Sequence, residues 1–80
     1  MIYISNLASL DMGEVAKVRT IHTKGTMRRR LQDIGLICDT FVSCVQKSPS
    51  GDPKAYEIRG AVIALRNCDA QKVIVEMSDE

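Results

Sequence analysis

The side chains in this 80-residue chain best suited to holding a metal or attacking a substrate are Cys38, Cys44, Cys68 and His22. Thiolates and imidazole are the usual ligands of zinc and of other transition metals. Their spacings of 16, 6 and 24 residues match no common metal-binding pattern, and there is no Cys-x-x-Cys. An odd number of scattered cysteines reads instead as reduced thiols in a cytosol. His22 lies in the loop HTKG and reads as a solvated imidazole. With a single histidine, no Ser-His-Asp order suggests itself. No GxxxxGK[ST] or GxGxxG is present, and SPSGDP (48–53) reads as a turn rather than a phosphate cradle. Asp33 and Asp39 flank a helix end with no sign of converging on a cleft. The expectation is therefore no catalytic residue, no cofactor and no metal ligand, in a protein that is not an enzyme.

One charge cluster stands out, Arg28-Arg29-Arg30. On a helix, consecutive residues point about 100° apart, so the three cannot share a face. Arg29 stands four residues before Asp33 and can pair with it. The cluster reads as a solvated helix surface or as a contact for an acidic partner. Nucleic acid is not expected. Net charge is only +1, and the three aromatics (Tyr3, Phe41 and Tyr56) supply no stacking platform.

Such residues need a scaffold, and the composition supports one. It is 45% hydrophobic and 26% charged, as in ordinary globular domains rather than disordered chains. Eighty residues fit one domain, 1–80. No apolar run approaches the roughly 18 residues of a membrane-spanning helix, so direct membrane insertion is not expected. The start, MIYISNLASLDMGE, has no basic region or long apolar core and does not read as a signal peptide.

Residues 7–13 read as a short irregular or one-turn helical lead-in closed by Gly13. EVAKVRTI (14–21) alternates as a half-buried strand, with Ala16 and Val18 on one face. Thr26 is placed to cap a helix that ends at Gly35, with Met27, Leu31 and Ile34 on one apolar face. Strands follow at 40–47, 54–59, 61–66 and 73–77. A polar connection at 67–72 has room for one helical turn. Gly60 interrupts a long strand-like run and predicts a tight hairpin or sharp bend, with Tyr56, Ile58, Ile63 and Leu65 inward. About five short strands and one inserted helix predict a mainly β fold, a small closed or partly open barrel.

RRRLQDIGL (28–36), SPSGDP (48–53), EIRG (57–60), ALR (64–66) and VIVE (73–76), in this order and spacing, resemble the FeoA family. LASLDMGE (7–14) is similar to that family's Leu-x-x-Leu-x-Pro-Gly-Glu start. The resemblance covers about residues 7–76. It implies an SH3-like β-barrel with an inserted helix. It also implies a cytoplasmic accessory protein of bacterial ferrous iron uptake, whose partner is the FeoB-type membrane transporter with its cytosolic GTP-binding domain. The same barrel resembles the C-terminal domain of iron-dependent repressors, which makes a module regulating through peptide, nucleic acid or another protein the alternative. A third reading is a metallochaperone with ferrous iron at its thiols. The sequence departs from the family at Met12, where proline is usual, and at Cys38-Asp39, which replaces a common Pro-Gly. Ser50 stands where a larger apolar residue often tips the loop. The candidate partner contacts are Arg28 and Arg29 on the helix, Leu36 and Ile37 after it, and Ser50, Gly51, Asp52 and Pro53 at the loop tip. Leu36 also reads as core, and Gly51 and Pro53 also set the turn.

Overall fold

The computed structural model describes residues 1–78. Six strands form one antiparallel sheet: β1 Ile2–Asn6, β2 Val15–Ile21, β3 Phe41–Lys47, β4 Lys54–Ile58, β5 Ala61–Leu65 and β6 Val73–Ser78. The order across the sheet is β1-β6-β2-β3-β4-β5. One principal helix, α1 (Gly25–Asp33), joins β2 to β3, and a single turn of helix, α2 (Asn67–Ala70), joins β5 to β6. A 3₁₀ turn at Leu7–Ser9 follows β1.

Period-two patterning gives the sheet one buried face. Ala16 and Val18, Val42 and Cys44, Tyr56 and Ile58, and Val73, Val75 and Met77 point into one core. Leu7 and Leu10 close it from the lead-in, and Leu31 and Leu36 from the helix side. Met27, Ile34 and Ile63 pack against it while half-buried. Two register shifts, between Val18 and Thr20 and between Cys44 and Gln46, bend the central strands.

The expected hairpin forms at Arg59-Gly60, with φ of 51° and 87°. Two consecutive left-handed residues make the turn whose twist matches its flanking strands. The helix ends as expected at Gly35, φ 97°. The Gly35 N–H donates to Gln32 O at 3.0 Å and the Leu36 N–H to Leu31 O at 2.8 Å. This double closure brings the buried Leu31 and Leu36 together behind the helix end. A β-carbon on Gly35 would lie 2.8 Å from Arg59 Cδ, so the helix end and the hairpin tip are in direct apposition.

Three expectations need correction. The sheet has six strands rather than about five, because Ile2–Asn6 pairs with β6 from Ile2↔Ser78 to Asn6↔Ile74. Thr26 does not cap α1. The left-handed Gly25 (φ 67°) starts the helix two residues earlier than that cap implies, after Lys24, and no side chain caps it. Arg28 Nη1 instead donates to Ile21 O at 2.7 Å, tying the first turns of α1 to the end of β2. Arg29 and Asp33 do not pair. The ion pairs among the described residues are Lys17–Asp39, Arg19–Glu76 and Lys47–Asp11.

Candidate partner-binding surface

The candidate contacts fall into two groups on different supports. Arg28, Arg29, Leu36 and Ile37 belong to α1 and its exit. Ser50, Gly51, Asp52 and Pro53 form the β3–β4 loop. Arg29 lines one groove, with Gly25 and Thr26, and Pro53 lines another, with Ser48 and Pro49.

In the first group, Arg28 spends one guanidinium N–H on the backbone of Ile21. Arg29 is exposed beside Gly25 and Thr26 in an open groove. Leu36 is fully buried in the core and presents nothing to a partner. Ile37, 45% exposed, is the apolar side chain that this segment does present. The chain reverses sharply after Gly35, which turns Leu36 in and Ile37 out.

The loop is held by its own hydrogen bonds. Gly51 N–H donates to Ser48 O at 2.8 Å, and Ser50 Oγ to the Asp52 carbonyl at 3.0 Å. The Asp52-Pro53 peptide is cis. Asp52 is already engaged, because its Oδ1 accepts the Asn67 N–H at 2.9 Å at the start of α2. Asn67 Nδ2 also donates to Gly51 O at 3.3 Å. The loop is thus anchored through Gly51 and Asp52, while Ser50 and Pro53 stay exposed.

The thiols are dispersed. Cys38 is exposed and donates to Arg19 O at 3.0 Å, Cys44 is buried, and Cys68 is exposed on α2. Among the described residues no three His, Cys, Asp or Glu side chains gather where a metal ion could be held. His22 is exposed.

Sequence reasoning missed a polar latch under the lead-in. Lys54, only 8% exposed, donates from Nζ to Ala8 O at 2.6 Å and to Leu10 O at 3.0 Å. Tyr56 Oη donates to Leu7 O at 3.3 Å. A readable signal existed: in KAYEI, strict alternation puts Lys54 on the same face as Tyr56 and Ile58. Burial, with smaller contributions from Cys44 and Asp52, pushes the Tyr56 phenol up to about 12 from 10.0. A raised acid pKa in the folded state favours the neutral form. The stability it carries is intact below the unfolded value near 10 and is lost as pH rises towards 12. Native protein is expected to lose up to about 1.4 kcal/mol per pH unit across that window, beyond the loss seen for Tyr56→Phe. Urea melts of both proteins at a series of pH values between the two limits check this. Parallel pH profiles would contradict it.

No helix among the described residues is long and apolar enough to cross a membrane. The FeoA domain family matches residues 5–77. A curated relative, the Fe(2+) transport protein A/Fe(2+) transporter FeoB fusion protein of Porphyromonas gingivalis, is 31% identical over 71 residues, which is 89% of this chain and 8% of that protein. The chain thus spans less than a tenth of that relative. The solution structure of FeoA from Chlorobium tepidum superposes with a TM-score of 0.85 at 27% identity, over 92% of this chain and 70% of that one. The zinc complex of Stenotrophomonas maltophilia FeoA, described as an SH3 domain protein, gives 0.76 at 28% identity, over 88% and 87% of the two chains. The fold alone recurs in a manganese-dependent transcriptional repressor, at 19% identity and a TM-score of 0.81 over 98% of this chain and 44% of that one. With its SH3-like sheet, its glycine-terminated helix and a family match over nearly its whole length, this chain belongs to the FeoA family.

Proposed function

We propose that this chain is a cytoplasmic, non-enzymatic accessory module that binds the cytosolic part of an FeoB-type ferrous iron transporter and modulates its transport or GTP hydrolysis. The observation that carries this reading is the relative in which an Fe(2+) transport protein A and the transporter FeoB are one polypeptide. A module that works beside its partner loses nothing by being tethered to it, and gains effective concentration. The contact surface we assign is the α1 exit and the loop tip. Arg29 supplies free charge, Ile37 an exposed apolar anchor, and Ser50 and Pro53 the exposed side chains of the loop. Arg28, Gly51 and Asp52 hold these groups in place through the bonds described above.

The test is co-purification of the tagged chain with membrane proteins of its native host in mild detergent. The native chain is expected to recover a transporter with a GTP-binding domain. The double variant Arg29→Glu/Ile37→Asp is expected to recover it at least about tenfold less, the equivalent of 1.4 kcal/mol. Equal recovery by the two proteins would displace the surface. Failure of the folded native chain to recover any such transporter would overturn the reading itself.

A further inference from the structure

We propose that the free edge of β1 is an interface through which two copies of this chain pair antiparallel, joining their sheets into one. β1 ends the sheet, and among the described residues β6 is its only neighbour. No backbone hydrogen bond joins Ile2–Ser5 to any other element among the described residues. Natural edge strands are usually blunted by charge, proline or a bulge. β1, IYISN, has none of these and runs in unbroken register along β6. It is also apolar where it is exposed: Ile2 is 64%, Tyr3 42% and Ile4 54% accessible. The opposite edge, β5, differs. Its Ile63 and Leu65 line a small cavity with Met27, Arg30 and Leu31 of α1 and with Ile34 just after it, so the helix covers the inner face of that strand.

The sequence of β1 selects the occupant and the register. Opposed residues in an antiparallel pair share a face, so a slip of one residue would set the core face of one copy against the solvent face of the other. Of the remaining registers, one places Ile2 opposite Ile4 of the second copy, Ile4 opposite its Ile2, and Tyr3 opposite its Tyr3. Every exposed apolar residue of β1 then meets an apolar residue. A shift by two residues towards the strand's end sets Ile2 against Asn6 and Tyr3 against Ser5, losing those pairs. The strand is therefore complementary to itself under a two-fold axis through Tyr3, as an isologous interface requires. On the outer face the four isoleucines would extend the apolar wall of the shallow groove that Ile2 already forms with Val15 and Phe41. So short a contact falls below about 1,200 Å² in total, which suits a weak, reversible dimer with a dissociation constant on the order of 0.1 mM.

Sedimentation velocity of the full chain, from about 10 µM to about 1 mM, tests the proposal. The native mass is expected to rise towards two copies, and backbone amides of residues 2–5 to gain exchange protection as it does. Ile2→Lys and Ile4→Glu are each expected to weaken association at least about tenfold. The double variant Ile2→Lys/Ile4→Glu opposes unlike charges twice in the assigned register and is expected to recover association over both singles. Both changes are on exposed side chains, and unchanged thermal midpoints of the three variants at low concentration verify folding. A native chain that stays monomeric throughout overturns the proposal. So does a dimer indifferent to the single changes, and so does a double variant no better than the singles.

Discussion

Leu36→Ala is expected to destabilise the protein by about 2–5 kcal/mol, the range for deleting a fully buried leucine. Leu36 has no accessible surface, and its backbone N–H closes the helix end on Leu31. The truncation removes apolar burial and leaves a cavity between α1 and the sheet. A chain of 80 residues has about 4–12 kcal/mol of stability in all, so this loss is a large fraction of it. Ile37→Ala, one residue on and half exposed, is expected to fall within about 0.5 kcal/mol of native. Urea titrations at constant m-value compare the two. A Leu36→Ala protein as stable as native would mean that the side chain is not in the core. The contrast also guards the partner experiments, since loss of binding in a Leu36 variant reports unfolding and loss in an Ile37 variant reports a lost contact.

Lys54→Met is expected to cost about 2–4 kcal/mol and to lower the thermal midpoint by roughly 10–20 °C. Methionine keeps the unbranched apolar stem but removes the ammonium that satisfies Ala8 O and Leu10 O. Leaving a buried carbonyl without a donor costs about 1–3 kcal/mol for each group. No carboxylate lies within ion-pair distance of Lys54 among the described residues, so its charge is balanced by carbonyl dipoles alone. Calorimetry of native and variant protein reads the shift directly. A loss under about 0.5 kcal/mol would show that water reaches those carbonyls as readily as the lysine does.

The strands with one wet face were readable because their alternation is strict: Ala16 and Val18, Val42 and Cys44, and Tyr56 and Ile58 all point inward. The glycine at the helix end and the Arg59-Gly60 turn were readable because backbone conformation restricts residue choice there. β1 was not. Ile2, Tyr3 and Ile4 are consecutive and all exposed, so an edge strand with little burial leaves no period to detect, only the β-branched and aromatic composition. The candidate contacts divided for the same kind of reason. Leu36 was readable as core, because an apolar residue after a helix-ending glycine closes back on the last turn, but nothing local shows that Ile37 turns out. The engagement of Asp52 depends on Asn67, 15 residues away in sequence. The apposition of Gly35 and Arg59 was likewise out of reach, although both residues lie in segments that carry the family resemblance.

β6 lies between β1 and β2, so the sheet receives one of its inner members last in chain order. The β2-β3-β4-β5 ladder joins strands that follow one another along the chain, whereas β1 has no partner until β6 is in place. Val18 and its neighbours stay open to solvent until Val73, Val75 and Met77 arrive. Docking of β1 is therefore gated by β6. Loop closure over about 70 residues must be completed before β1 is fixed, the kind of non-local step that slows folding.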